Sequence, residues 1–174
     1  MYLIKGFVIK IYLLSNGCKV GKRLKCKKFP LFRTIPRGNI FIGNNVNIGY
    51  RITFDILIKG KLNIGNFVNL TQDIVISSSS IVNIANNVLI AENVSIRDSD
   101  HGTSSLQLIR EQPQVSKPIS IDEDVWIASG CRILKGVHLP EGCIIGTNSI
   151  VTNKSIVEPY SINVGSPCKK KSNR

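Results

Sequence analysis

Few residues in this chain can do chemistry at neutral pH. Its 174 residues include two histidines and five cysteines. His101 stands in the polar run RDSDHGT, with Asp98 and Asp100 just ahead of it and Glu111 further on. An imidazole titrating near neutrality can take a proton from an attacking hydroxyl or amine, and a carboxylate at its other ring nitrogen would fix the tautomer. His101 therefore reads either as a general base or as a solvated loop histidine. Asp98, Asp100 and Glu111 either orient the ring or only solvate the loop. His138 sits just before the aliphatic Leu139 and reads as a corner or surface residue. The cysteines, at 18, 26, 131, 143 and 168, form no C-x-x-C pair. Reduced thiols in a cytoplasmic protein are the simple reading, and zinc or thioredoxin-type chemistry has no support. Trp126 is the one tryptophan.

A repeat must position these groups. From Ile121 an aliphatic residue recurs at every sixth position: Ile127, Ile133, Leu139, Ile145, Val151 and Val157. The same grammar appears at Ile42 and Ile48, at Ile58, Ile64, Leu70 and Ile76, and at Ile84, Ile90 and Ile96, with small shifts of register between blocks. A six-residue unit is too short to fold alone. It can be one strand and one corner of a solenoid coil, its anchors stacked roughly 4.8 Å apart along the axis. Asn45, Asn66, Asn87, Asn93 and Asn148 fall near the expected corners, where asparagine tolerates left-handed dihedrals. A β-sandwich would instead alternate at period two between turns. The expected class is all-β, a parallel solenoid. The period breaks over 97–118, a polar stretch expected to bulge from a corner as a loop. Loops of that length inside a domain usually carry function. The first 37 residues show no period and read as an N-terminal arm, helical over 2–14. The solenoid is expected over 38–168, followed by a basic tail at 169–174.

Charge is unevenly placed. Residues 1–54 hold eleven Lys or Arg and no Asp or Glu, whereas 55–168 hold eight basic and eleven acidic residues. A near-neutral body with basic ends, lacking interleaved aromatics, does not suit nucleic acid despite a pI near 9.7. The apolar start, broken by Lys5 and Lys10, is too short to span a bilayer and shows no leader cleavage site. Residues 1–37 are compatible with docking to an anionic membrane surface at the inner face, or with an arm that packs on the body and stays soluble through its charge.

The stretches IANNVLIAENVSIRDSDHGT (84–103), KPISIDEDVWIASGCRILKGVHLPEGCIIGTNSIVTNKSI (117–156) and VGSPCKK (164–170) resemble the hexapeptide-repeat acyltransferases. The likeness is to the galactoside, maltose and capsule or O-antigen O-acetyltransferases, and it covers about residues 38–171. It implies a left-handed β-helix, a homotrimer, acetyl-CoA as co-substrate, a sugar acceptor and no metal. His101 would be the base. Trp126 would line the site near the acceptor and the pantetheine arm, though an outward aromatic covering the coil is the plainer reading. Ala128 stands where the family usually has glycine, and a backbone N–H near Ser129 would face the developing oxyanion. Gly146, Thr147 and Thr152 would contact pantetheine. Lys154 and Lys169, Lys170 and Lys171 would meet the nucleotide phosphates, or simply be solvated. Cys168 reads as packed rather than nucleophilic. Thr71 and Ser79 fall where the galactoside enzymes carry acceptor-binding polar residues, so the acceptor is expected to differ. Solenoid carbonic anhydrases need three histidines on a metal, which this chain cannot supply. N-acetylation of a nucleotide-linked amino sugar, and a non-catalytic glycan-binding scaffold, are the alternatives.

Overall fold

Three parallel sheets form the faces of a prism, and the chain visits them in turn in every coil. The computed structural model describes residues 1–174. On the first face, strands Lys19–Val20, Ile40–Ile42, Lys61–Ile64, Ile81–Ile84, Ile119–Ile121 and His138–Leu139 stack in that order. The second face stacks Lys25–Cys26, Asn47–Tyr50, Asn69–Gln72, Leu89–Ile90, Trp126–Ile127, Ile144–Ile145 and Ser161–Val164. The third stacks Leu31–Phe32, Thr53–Ile56, Val75–Ser78, Ser95–Arg97, Arg132–Ile133 and Ile150–Val151.

The anchors form columns because each pairs in register with the next coil. Ile42, Ile64, Ile84, Ile121 and Leu139 are successive partners on the first face. Ile48, Leu70, Ile90, Ile127 and Ile145 are successive partners on the second. All are at most 2% exposed and belong to one continuous core of 36 buried residues. Each buried aliphatic contributes roughly 1.5–3 kcal/mol over its exposed state.

At the corners, Asn45, Asn87, Asn93 and Asn148 adopt left-handed dihedrals, with φ between 56° and 60°. Asn66 does not. Phe67 takes the left-handed position beside it, at φ 57°. The Asn66 side chain accepts from the Asn44 N–H at 2.8 Å, and the Asn66 N–H donates to Asn86 Oδ1 at 2.8 Å. Stacked corners are thus tied by an asparagine ladder parallel to the strands.

Three boundaries differ from the sequence expectation. The solenoid begins at Lys19, not at 38: Val20, Cys26 and Phe32 pair with Ile42, Ile48 and Phe54. The six-residue spacing is present there, but cysteine and phenylalanine fill two of its inward positions. The 169–174 tail is not free. Lys169–Asn173 pairs antiparallel with Ser161–Val164 and closes the second face. The 97–118 excursion is a folded hairpin, Ser99–His101 against Gln114–Ser116, with one 3-10 turn at Ile109–Glu111. Only Tyr2–Ser15 is helical ahead of the coils; it lies across the N-terminal end, burying Gly6, Ile9 and Leu13. No helix is long and apolar enough to cross a membrane.

Candidate active site

The hairpin leaves the prism at the edge between the third and first faces, and Asp98 holds its base. Ile96 points inward, Arg97 outward, and Asp98 inward again, 0% exposed. Asp98 Oδ1 accepts from the Ser79 N–H at 2.7 Å. Its Oδ2 accepts from the Ser80 N–H at 2.8 Å and the Ser78 hydroxyl at 2.9 Å. The Lys117 N–H donates to the Asp98 carbonyl at 2.9 Å, joining the two ends of the excursion. At the far end Gln112, 8% exposed, accepts from the Ser104 N–H and donates to the Ser104 and Gln107 carbonyls. These two polar side chains replace a hydrophobic core for the hairpin.

His101 is exposed and sits across from Gln114. Its ring has no hydrogen-bond partner within the chain. None of the three sequence candidates orients it. Asp98 is committed to the backbone, the Asp100 carboxylate pairs with Lys135 Nζ at 3.1 Å, and Glu111 lies 3.8 Å from Arg110. Ser79 does reach the hairpin: its hydroxyl is 3.0 Å from Ser99 Oγ and donates to Gln114 Oε1 at 3.1 Å. Thr71 does not. It fills the small-residue position at the corner between the second and third faces, where its backbone oxygen would collide with any side chain at Gly49. Its hydroxyl is buried without a partner. His138 Nε2 is 2.7 Å from Asp122 Oδ2, an outward pair on the first face.

The other expected site residues form two further groups. Ala128, Ser129, Gly146 and Thr147 stack at the corner between the second and third faces. Ala128 and Gly146 donate their N–H groups to Ile145 and Asn163 in the next coil. The N–H groups of Ser129 and Thr147 have no partner in the chain, so this edge offers outward donors. Thr152, Lys154, Lys169 and Lys170 line one cleft of about 500 Å³ at the C-terminal end, together with Ser155 and Glu158. Lys170 is paired with Glu158 at 2.5 Å, while Lys154 and Lys169 have no acidic partner. Lys171 extends along the closing strand. Trp126 projects from the second face, 47% exposed, beside Leu89 and Ile144. Asp124 next to it holds Arg174 at 2.7 Å.

The hairpin edge lies opposite the second face of the same prism. One chain therefore does not bring His101 together with Trp126. Sequence reasoning missed Gln114, Ser99 and Lys135 as neighbours of the histidine, since only the cross-strand pairing and the adjoining coil reveal them.

The thiols take no part. All five cysteines are buried and free. Burial pushes Cys26 up to about 11 and Cys143 up to about 12, and raises Cys131 and Cys168 as well. They stay protonated and unreactive at neutral pH.

Comparison with known proteins agrees with this architecture. No protein-family model matches the chain. A probable acetyltransferase of Mycobacterium tuberculosis, Rv3034c, is 34% identical over 176 residues, covering 99% of this chain and 58% of that protein. The Escherichia coli galactoside O-acetyltransferase is 32% identical over 63% of this chain and 52% of its own length. The chain thus spans a little over half the length of these relatives. Among solved structures, AntD, an N-acyltransferase from Bacillus cereus in complex with dTDP and coenzyme A, superposes with a TM-score of 0.79 at 20% identity, over 97% of this chain and 88% of that one. A galactoside acetyltransferase in complex with coenzyme A gives 0.62 at 27% identity, over 89% and 64%. With its stacked coils, its hairpin at one edge and these relatives, the chain belongs to the hexapeptide-repeat, left-handed β-helix family of acyltransferases.

Proposed function

We propose that this protein transfers an acetyl group from acetyl-CoA to a hydroxyl of a saccharide, a surface polysaccharide or its precursor, as a homotrimer with His101 as general base. The observation that carries the reading is the state of the two imidazoles. His138 is engaged by Asp122 at 2.7 Å, whereas His101 is held out on an ordered hairpin with both ring nitrogens unspent. A second copy is needed to set the His101 edge against the amide-lined corner and Trp126, and three-fold packing of prisms does this once per interface. The unpaired Ser129 and Thr147 amides suit the polar pantetheine arm. Lys154 and Lys169, free of acidic partners in their cleft, suit phosphates.

Acetyl-CoA supplies an acyl group on a good leaving thiolate. His101 takes the acceptor hydroxyl proton as that oxygen attacks the carbonyl carbon, and the imidazolium then gives the proton to the departing sulfur. The Ser129 N–H donates to the carbonyl oxygen as negative charge gathers there. Trp126 offers a flat apolar wall beside the acceptor. The relatives that act on galactosides favour a hydroxyl acceptor.

The test is thiol release from acetyl-CoA over a panel of neutral and amino sugars, with the product analysed. A base-labile ester is expected; a stable amide would move the reading to N-acetylation. His101→Ala should cost about 10²–10⁴-fold in kcat while leaving oligomeric state and CoA binding intact. An unimpaired His101→Ala enzyme would remove His101 from the role, and wild-type silence across the panel would leave only a scaffold.

A further inference from the structure

The N-terminal helix is amphipathic the wrong way round for a soluble cap. Its solenoid-facing side is narrow, built from Gly6, Ile9 and Leu13, and a side chain at Gly6 would strike the Leu24 carbonyl at 1.9 Å. Its only cations are spent inward: Lys5 Nζ donates to the Lys27 carbonyl at 2.9 Å and Lys10 Nζ to the Gly21 carbonyl at 2.8 Å. They clamp the helix flat across the end of the prism. The opposite arc presents Leu3, Ile4, Phe7, Val8, Ile11 and Leu14, each between 47% and 69% exposed. Six adjacent large apolar side chains facing outward form a patch that soluble surfaces rarely tolerate. The first coil surrounds this patch with exposed Lys19, Lys22, Arg23, Lys25 and Lys28. No Asp or Glu occurs before residue 55, so nothing local neutralises them. Where helix meets coil, a groove of about 330 Å³ has Leu3, Phe7 and Leu24 in its walls and Lys10, Lys22 and Arg23 around them.

We infer that this end of the prism docks on an anionic lipid bilayer, the helix lying in the interface plane with its apolar arc in the acyl region. The basic first coil then meets the headgroup phosphates. Charge decides among occupants. A second copy placed end to end would bring two acid-free basic surfaces together, which Coulomb repulsion opposes. A bilayer rich in anionic lipid meets both the apolar arc and its cationic rim. The helix lies at the prism end, so docking leaves the faces and edges free for the assembly proposed above, and it does not depend on the catalytic reading.

Flotation of the full-length protein with phosphatidylcholine vesicles, and with vesicles containing about a third phosphatidylglycerol, tests this at physiological salt. Binding to the anionic vesicles only is expected. The exposed pair Phe7→Ser/Ile11→Ser should weaken it by at least about tenfold, as loss of that apolar burial implies. Lys22→Glu/Arg23→Glu should weaken it comparably, both with unchanged circular dichroism. Absence of wild-type flotation would overturn the proposal. So would binding that survives both double variants, which would place it elsewhere, or an apolar variant that only abolishes end-to-end self-association. Should the serine pair fail to fold, the charge-reversal pair alone decides.

Discussion

Replacing Asp98 by alanine removes an acceptor for three donors from a site with no access to water. The Ser79 and Ser80 amides lose their only partners, at 2.7 and 2.8 Å. The Ser78 hydroxyl does not, because the Lys61 carbonyl remains within 3.0 Å. Two orphaned buried amides at about 1–3 kcal/mol each give a loss of about 2–6 kcal/mol, less whatever water enters the vacated volume. Asp98→Asn keeps one oxygen and turns an NH₂ toward an amide, so it should fall between alanine and wild type. Denaturant midpoints measure the stability. Limited trypsin cleavage at Arg110, in the exposed 3-10 turn, measures the hairpin: its rate should rise in step with the stability loss. The reasoning fails if Asp98→Ala changes stability by under about 1 kcal/mol. It fails equally if that variant keeps a wild-type cleavage rate yet loses turnover, for then the carboxylate acts on the reaction directly and does not merely position His101.

Two further outcomes follow from buried groups without partners. Thr71→Val is close to isosteric and deletes a hydroxyl that is buried and unpaired, so it should raise stability by about 1 kcal/mol with turnover unchanged; a rise in KM for the acceptor would show that the hydroxyl opens to the sugar. The thiols should resist iodoacetamide at pH 8 in the native state and react fully in denaturant, because burial holds Cys26 and Cys143 up to about 11 and about 12. Rapid native labelling of either would contradict their packing.

The repeat was legible where coils are shortest. Ile121 and Leu139 are register partners eighteen positions apart, three hexapeptides with two-residue strands, so the period reads directly. Ile42 and Ile64 are also partners but twenty-two apart, because four-residue strands and longer corners intervene. The same column then looks like a shifted block. In the first coil the spacing is intact at 20, 26 and 32, but a search for aliphatics passes over Cys26 and Phe32. Corner geometry transferred to within one residue: at 66–67 the asparagine serves as a hydrogen-bond rung and phenylalanine takes the left-handed turn. The cleft formed by Thr152, Lys154, Lys169 and Lys170 could not be derived from spacing, since it depends on the closing strand folding back antiparallel on Ser161–Val164.

Asp98 shows how much of the site lies in strand alternation rather than in motif. A carboxylate three residues ahead of a histidine invites a catalytic pairing. Yet side chains alternate sides along a strand, and Ile96 is an inward anchor, so Asp98 must point inward too. It continues the column in which Ile56 pairs with Ser78. Down that column the inward residue changes from apolar to hydroxyl to carboxylate, one coil at a time, and the change ends where the hairpin leaves the prism. An inward carboxylate there would be costly without donors, and the Ser78, Ser79 and Ser80 run in the coil beneath supplies them. The serines are therefore the partners that allow the solenoid to break its own period at this edge, which makes the placement of His101 a consequence of the coil below it as much as of the loop that carries it.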